Sequence, residues 1–246
     1  VTTPYKNLKS SKKEQIASMF NNIARRYDFL NHFLSFGIDK YWRKKAIKYL
    51  TRISDNSIIL DIATGTADFA IQAAKLNPKK IIGIDISEEM LLIGRKKIKK
   101  KFLNQKIILQ KGDSEKLEFP NNMFDGVIVA FGVRNFENLK NGINEIYRVL
   151  KPNSTFAVLE FSKPSIFPIK QFYNFYFNII LPLIGKVFSK DNSAYRYLPE
   201  SVNNFPDNNN FINELKVAGF SNCSLQRLTF GIVTIYTGVK KNSLIK

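Results

Sequence analysis

Two carboxylates, each closing an apolar run, are the first groups in this chain whose type and spacing suggest chemistry. Asp61 ends Ile58-Ile59-Leu60 and leads into Ile62-Ala63-Thr64-Gly65-Thr66-Ala67; Asp85 ends Lys80-Ile81-Ile82-Gly83-Ile84. Small residues at 63, 65 and 67 let the backbone approach a ligand closely, and Gly65 is free to take φ > 0. An acid at the end of a second strand, roughly twenty residues beyond such a loop, suits the two hydroxyls of a ribose. The spacing Gly-x-Gly-x-x-Gly of a dinucleotide loop is absent; the pattern is Asp-x-Ala-x-Gly-x-Ala.

The elements around these acids alternate. The first run reads as a buried parallel strand, and Phe69, Ile71, Ala73 and Leu76 behind it have helical spacing. Ser87 is a suitable N-cap for a helix to about Lys101, with Glu88 and Glu89 in its first turn. Strands follow at 107–110, 124–130 and 155–161, with a helix at about 139–150 whose exit, Lys151-Pro152-Asn153, lets Asn153 turn left-handed. A helix over 211–217 precedes two β runs, 224–229 and 232–239, that pair antiparallel. This predicts a doubly wound, mostly parallel seven-stranded α/β sheet whose ligand lies beyond the carboxyl ends of the strands, where loops 63–67, 85–87, 112–115 and 130–135 gather.

Two additions flank that sheet. Residues 1–50 carry helical patterns at 11–26 and 34–50, an N-terminal cap over the ligand edge, preceded by a polar stretch, 1–10, expected to fray. Residues 162–206 are too long for an ordinary connection and hold an aromatic, apolar run, 172–184. Asn174, Asn178, Pro182 and Lys186 interrupt it, so a lid or a greasy wall is expected rather than a membrane span. One domain spanning 1–246 is the reading.

Composition narrows the class. One cysteine (Cys223) excludes an internal disulfide, and one histidine leaves no His/Cys cluster, so no metal is expected. With no leader-type segment, the expected place is the cytoplasm. A net charge of +18 over 246 residues fits compositional drift toward Lys, Asn and Ile, an anionic membrane face, or nucleic acid.

The first loop resembles that of class I methyltransferases using S-adenosylmethionine, with alanine at two of the usual glycine positions. Four further segments carry a more specific likeness: 19–42 with its Tyr27-Asp28 and Asn31-His32-Phe33-Leu34-Ser35-Phe36-Gly37 runs, Phe131-Gly132-Val133-Arg134-Asn135, Leu159-Glu160-Phe161-Ser162-Lys163-Pro164, and Ser193-Ala194-Tyr195-Arg196-Tyr197-Leu198. On these the chain resembles the bacterial demethylmenaquinone/ubiquinone C-methyltransferases of quinone biosynthesis. The resemblance implies S-adenosylmethionine as cofactor and methyl transfer to a ring carbon of a polyprenylated quinol, with naphthoquinol (menaquinone-type) preferred over benzoquinol. It places Asp61, Gly65, Thr66, Asp85, Asp113, Ser114, Ala130 and Tyr27 at the cofactor.

Methyl transfer from a sulfonium is an in-line displacement that needs positioning and desolvation. The quinol carbon turns nucleophilic when its ortho hydroxyl loses a proton. Arg134, always charged, suits an oxyanion stabiliser; Asn135 suits orienting the hydroxyl or a water; His32 is a candidate base. Phe131, Tyr195 and Tyr197 are expected at the substrate ring. Two rivals stand beside this. An RNA-directed methyltransferase lacks support, because Ala130-Phe131-Gly132-Val133 replaces the Asn/Asp-Pro-Pro-aromatic motif, so no nucleic acid is expected. A non-catalytic scaffold is the other. A peripheral contact with anionic membrane is expected, and a homo-oligomer is compatible with the sequence.

Overall fold

The computed structural model describes residues 2–180, 183 and 192–242. Seven strands, β1 (Ile58–Ile62), β2 (Lys80–Asp85), β3 (Ile107–Lys111), β4 (Phe124–Ala130), β5 (Leu150–Phe161), β6 (Phe220–Leu228) and β7 (Val233–Lys240), form one sheet in the order β3-β2-β1-β4-β5-β7-β6. β7 runs antiparallel to both its neighbours, and every other pairing is parallel. The strand order reverses between β1 and β4, where such sheets bind ligands.

The apolar runs follow from burial on both faces. In β1, Leu60 and Ile62 enter one core with Val127, Val129, Ile146, Phe211 and Tyr236, while Ile59 enters the other with Trp42, Phe69, Leu91, Ile128 and Leu159. A strand alternating between two cores cannot also alternate in polarity, so β1 and β4 read as near-continuous hydrophobic segments.

Eight helices surround the sheet: α1 (Lys12–Leu34), α2 (Ile38–Ala46), α3 (Asp68–Ala73), α4 (Glu88–Lys100), α5 (Leu139–Val149), α6 (Ile169–Phe175), α7 (Asn192–Asn204) and α8 (Asn209–Val217) among the described residues. Ser87 caps α4, its hydroxyl accepting from Met90 N, as its sequence position predicts. Residues 176–180 continue α6 as a π-helix. Of the aromatic run 172–184, Leu181, Pro182 and Ile184 lie outside the described residues, as does Lys186.

Several boundaries differ from expectation; β6, expected from 224, begins at Phe220. α1 does not stop near 26 but continues to Leu34, and the left-handed residues Phe36 (φ 50°) and Gly37 (φ 73°) separate it from α2. β5 begins at Leu150, before the expected 155, because Leu150 pairs with Phe124 and a register shift absorbs the exit turn, with Asn153 at φ 62°. Residues 2–10 are tied down: Gln15 Oε1 accepts from Tyr5 N at 2.9 Å, and Thr2 Oγ1 accepts from Asn204 at 2.6 Å. Long-range side-chain partners, invisible in local composition, hold that segment.

α1 crosses the carboxyl edge of the sheet and is pinned along its length. Lys12 Nζ donates to Phe136 O (2.7 Å), Lys13 pairs with Asp113 (2.6 Å), Asn21 accepts from Ser87 Oγ (2.7 Å), and Asp28 pairs with Lys97 (2.8 Å).

Candidate active site

Two cavities meet beneath α1. The first lies at the ends of β1, β2, β3 and β4. The second, larger and mostly apolar, lies between α1, α2, β5, α6 and α7. Phe20, Tyr27 and Phe131 wall both, so a group bound in one reaches the other only past these rings.

The β1–α3 loop forms the floor of the smaller cavity. Ala63 (φ 52°), Gly65 (φ 55°) and Ala67 (φ 68°) are all left-handed, so the two alanines adopt the backbone that glycine would adopt more cheaply. Asp85 locks the loop: its carboxylate accepts from Gly65 N (2.8 Å) and Ser87 N (2.9 Å). Burial pushes Asp85 up to about 6, the two backbone donors offsetting only part of that cost. Asp113, Ser114 and Ala130 also lie on this wall, as does Asn135, whose Oδ1 is buried without a hydrogen-bond partner.

These residues fit an adenosyl-type cofactor. A carboxylate has about four lone-pair sites, so Asp85 retains acceptors for ribose hydroxyls beyond its two backbone bonds, and the orphaned Asn135 carbonyl awaits an N–H donor.

Two residues assigned to the cofactor from sequence stand behind the wall. Asp61 is fully buried, accepts from Thr64 Oγ1 (2.6 Å) beneath the loop, and is pushed by burial to about 7. Thr66 faces α1 and α4, donating to Asp28 and accepting from Lys97 Nζ (3.1 Å). The alternation of side-chain directions in the tight loop turns both away from the cavity. They shape the loop instead.

Arg134, Tyr195 and Tyr197 line the larger cavity. Arg134 donates to the fully buried Glu160 (2.6 Å) and to Phe131 O (2.6 Å), and lies 5.5 Å from the Phe161 ring centroid. Burial raises the Glu160 carboxyl, with Arg134 opposing the rise. Arg134 and Asn135, neighbours in a 3-10 turn, point into different cavities, so they do not act as one pair. His32 is on neither wall. Its Nδ1 bonds Asp39 Oδ2 (2.9 Å) and its Nε2 lies 3.5 Å from Asp68, which removes it as a base contacting substrate. His32, Asp39 and Asp68 come together, but Arg43 and Lys97 already neutralise the two carboxylates.

Sequence reading missed Arg43 and Tyr173, both on the larger cavity. Arg43 belongs to the basic run Arg43-Lys44-Lys45, which resembles a solvated helix end; only its burial, at 8% exposed, separates it from the exposed Lys44.

The chain matches the ubiE/COQ5 methyltransferase family over residues 8–240. It is 48% identical over 238 residues to the demethylmenaquinone methyltransferase of Bacteroides fragilis, covering 96% of each chain. It is 44% identical over 233 residues to the ubiquinone/menaquinone biosynthesis C-methyltransferase UbiE of Geotalea daltonii, covering 94% of this chain and 98% of that one. A SAM-dependent methyltransferase structure from Thermotoga maritima shares the fold, with a TM-score of 0.61 at 20% identity over 91% of this chain and all of the other.

Proposed function

We propose that this chain, which belongs to the ubiE/COQ5 methyltransferase family and is an S-adenosylmethionine-dependent C-methyltransferase of quinone biosynthesis, methylates demethylmenaquinol in the larger cavity. The observation that carries this reading is the junction of a smaller cavity edged by Asp85, Asp113 and Glu115 with a larger, mostly apolar one at Phe20, Tyr27 and Phe131. A small polar acceptor has no use for a long wall of apolar and aromatic side chains; an aromatic ring bearing an isoprenoid tail does.

The cofactor supplies an electrophilic methyl group. Asp85 holds the ribose, Asp113 and Ser114 meet the adenine, and Asn135 receives an amino N–H. α1 roofs the cavity and excludes water, which raises the reactivity of the buried electrophile. In the larger cavity Arg134 hydrogen-bonds a ring oxygen, while Tyr195, Phe161 and Phe131 pack the ring.

The mouth of the larger cavity sits at a membrane surface in this reading. Phe36, Phe172 and Phe230 line the cavity yet are 85%, 69% and 68% exposed, with Phe167 (76% exposed) nearby in sequence and Lys40, Lys44 and Lys170 also exposed. Exposed aromatics interleaved with lysines match an anionic bilayer. Among the described residues no helix is long and apolar enough to cross a membrane.

The test is incubation with methyl-labelled S-adenosylmethionine and either demethylmenaquinol or a demethylated benzoquinol, followed by mass spectrometry. Label on the naphthoquinol supports the reading; label on the benzoquinol alone reassigns the acceptor. Flotation with anionic liposomes, lost in a Phe36→Ser/Phe172→Ser/Phe230→Ser variant, tests the membrane face.

A further inference from the structure

The larger cavity has two polar ends, and an apolar tail explains neither. At one end Arg43 is held by Asp39, which also accepts from His32 Nδ1 (2.9 Å) and Ser35 Oγ (2.9 Å). Arg43 Nε is buried with no hydrogen-bond partner, and its guanidinium carbon lies 5.6 Å from the Phe131 ring centroid. At the other end lies Arg134, with the hydroxyls of Tyr173 and Tyr197 buried and unpartnered among the described residues. Phe131 and Phe161 pack at a tilt, centroids 4.5 Å apart at 32°, and the Arg134 guanidinium carbon lies 5.5 Å from the Phe161 centroid. Tyr27, Arg43 and Arg134 all line this one cavity. A buried donor without a partner costs about 1–3 kcal/mol, and this cavity keeps three such groups.

We infer that the two ends receive the two para oxygens of a dihydroxy ring, and that Arg43 is a second catalytic cation, serving the oxygen beside the carbon that is methylated. The assignment of ends follows from Phe131, the ring under Arg43 that also walls the cofactor cavity. Tyr173, Tyr197 and Arg134 take the remote oxygen. This rests on the quinol reading above.

The step balances without an oxidant or reductant. The hydroxyl near Arg43 gives up its proton, and the electron pair pushed onto the adjacent ring carbon forms the carbon–methyl bond as the sulfur–methyl bond breaks. The hydrogen on that carbon then leaves as a proton, restoring the aromatic ring, and the oxygen is reprotonated. One proton reaches solvent in total. Arg43 lowers the barrier by holding the phenolate formed at the start.

The experiment compares wild type, Arg43→Gln, Arg43→Lys and Tyr173→Phe/Tyr197→Phe in detergent with demethylmenaquinol, recording kcat and KM across pH and cofactor affinity by calorimetry. Arg43→Gln is expected to lose about 100-fold in kcat, with the rising limb of its pH profile moved alkaline by about one pH unit or more, cofactor affinity staying within about threefold, and partial rescue by Arg43→Lys. The tyrosine variant is expected to raise KM more than it lowers kcat. An unmoved pH profile in folded Arg43→Gln overturns the assignment. A second measurement needs no variant: an acceptor whose remote hydroxyl is replaced by hydrogen should lose about tenfold or more in kcat/KM with wild type, and equal turnover overturns the two-ended site. Wild type that methylates no quinol removes the underlying reading and this inference together; wild type that does, with Arg43→Gln unaffected, removes the inference alone.

Discussion

Replacing Asp85 by asparagine separates the stability of the cofactor loop from its binding. Asp85 titrates near 6 rather than 3.8 because it is buried, and a difference of that size corresponds to roughly 3 kcal/mol spent holding the charge at neutral pH. The sign follows from a raised carboxyl. The folded state binds the proton more tightly than the unfolded chain between about 4 and 6, so stability falls as pH rises through that window and the full cost is present above it. Asparagine removes this cost. It also presents only one acceptor to two backbone donors, Gly65 N and Ser87 N, leaving one unmet at about 1–3 kcal/mol. The two effects nearly cancel at pH 8. At pH 5, where the wild-type carboxyl is mostly protonated, about 1.4 kcal/mol of the advantage is gone. Relative to wild type, Asp85→Asn should therefore lose a further 3–6 °C or so in Tm on going from pH 8 to pH 5. Binding responds differently. Losing charge-assisted bonds to the ribose should weaken S-adenosylmethionine by about 10- to 100-fold at pH 8. Wild-type affinity should also drop as pH falls through 6, whereas the variant's should not. Differential scanning fluorimetry and calorimetry at pH 5, 6, 7 and 8 measure both. A Tm difference independent of pH, or unchanged cofactor affinity, would refute the reasoning.

Other substitutions probe neighbouring parts. A Cβ added at Gly132 would lie 2.6 Å from Ala63 Cβ and 3.0 Å from Val129 Cγ1, so Gly132→Ala should cost about 1–3 kcal/mol, and adding Ala63→Gly should recover much of it in chemical denaturation. Glu160→Gln leaves the Arg134 charge uncompensated in a buried site, with an expected loss of about 3–5 kcal/mol visible in the urea midpoint; a loss under about 1 kcal/mol would contradict that picture. Lys97 ties Asp28 of α1 to Asp68 of α3 and to Thr66. Lys97→Met should loosen the roof and speed cofactor dissociation several-fold in stopped flow, and an unchanged rate would separate α1 from cofactor retention.

Much of the fold was legible because it is local. Period and punctuation placed all seven strands and the four loops at one edge, and Asp85, Asp113, Ser114 and Asn135 do meet on one wall. What was illegible depends on where a side chain points. Nothing in composition turns Asp61 and Thr66 behind the loop, or sends Arg134 and Asn135 into different cavities, since each outcome is set by a rotation of one residue in a tight turn. Arg43 was hidden for another reason: its neighbour Phe131 is brought to it by tertiary packing, while the residue after it in sequence is an exposed lysine. Even the break after Leu34 rests on Phe36, an unusual residue for left-handed backbone, whose signal is weak without the following glycine.

The left-handed alanines in the β1–α3 loop also bear on how the chain folds. Ala63 and Ala67 each disfavour that conformation by about 1 kcal/mol or more, so the segment does not nucleate on its own preferences. Its shape is imposed by groups more distant in the chain: Ile84 O accepts from Thr64 N, and Asp85 receives Gly65 N. The loop must therefore close after β1 and β2 have paired, late in folding. Ala63→Gly and Ala67→Gly should leave the refolding rate nearly unchanged and show any effect in the unfolding limb of the chevron. The binding floor is then a consequence of the pairing of β1 with β2 rather than a cause of it.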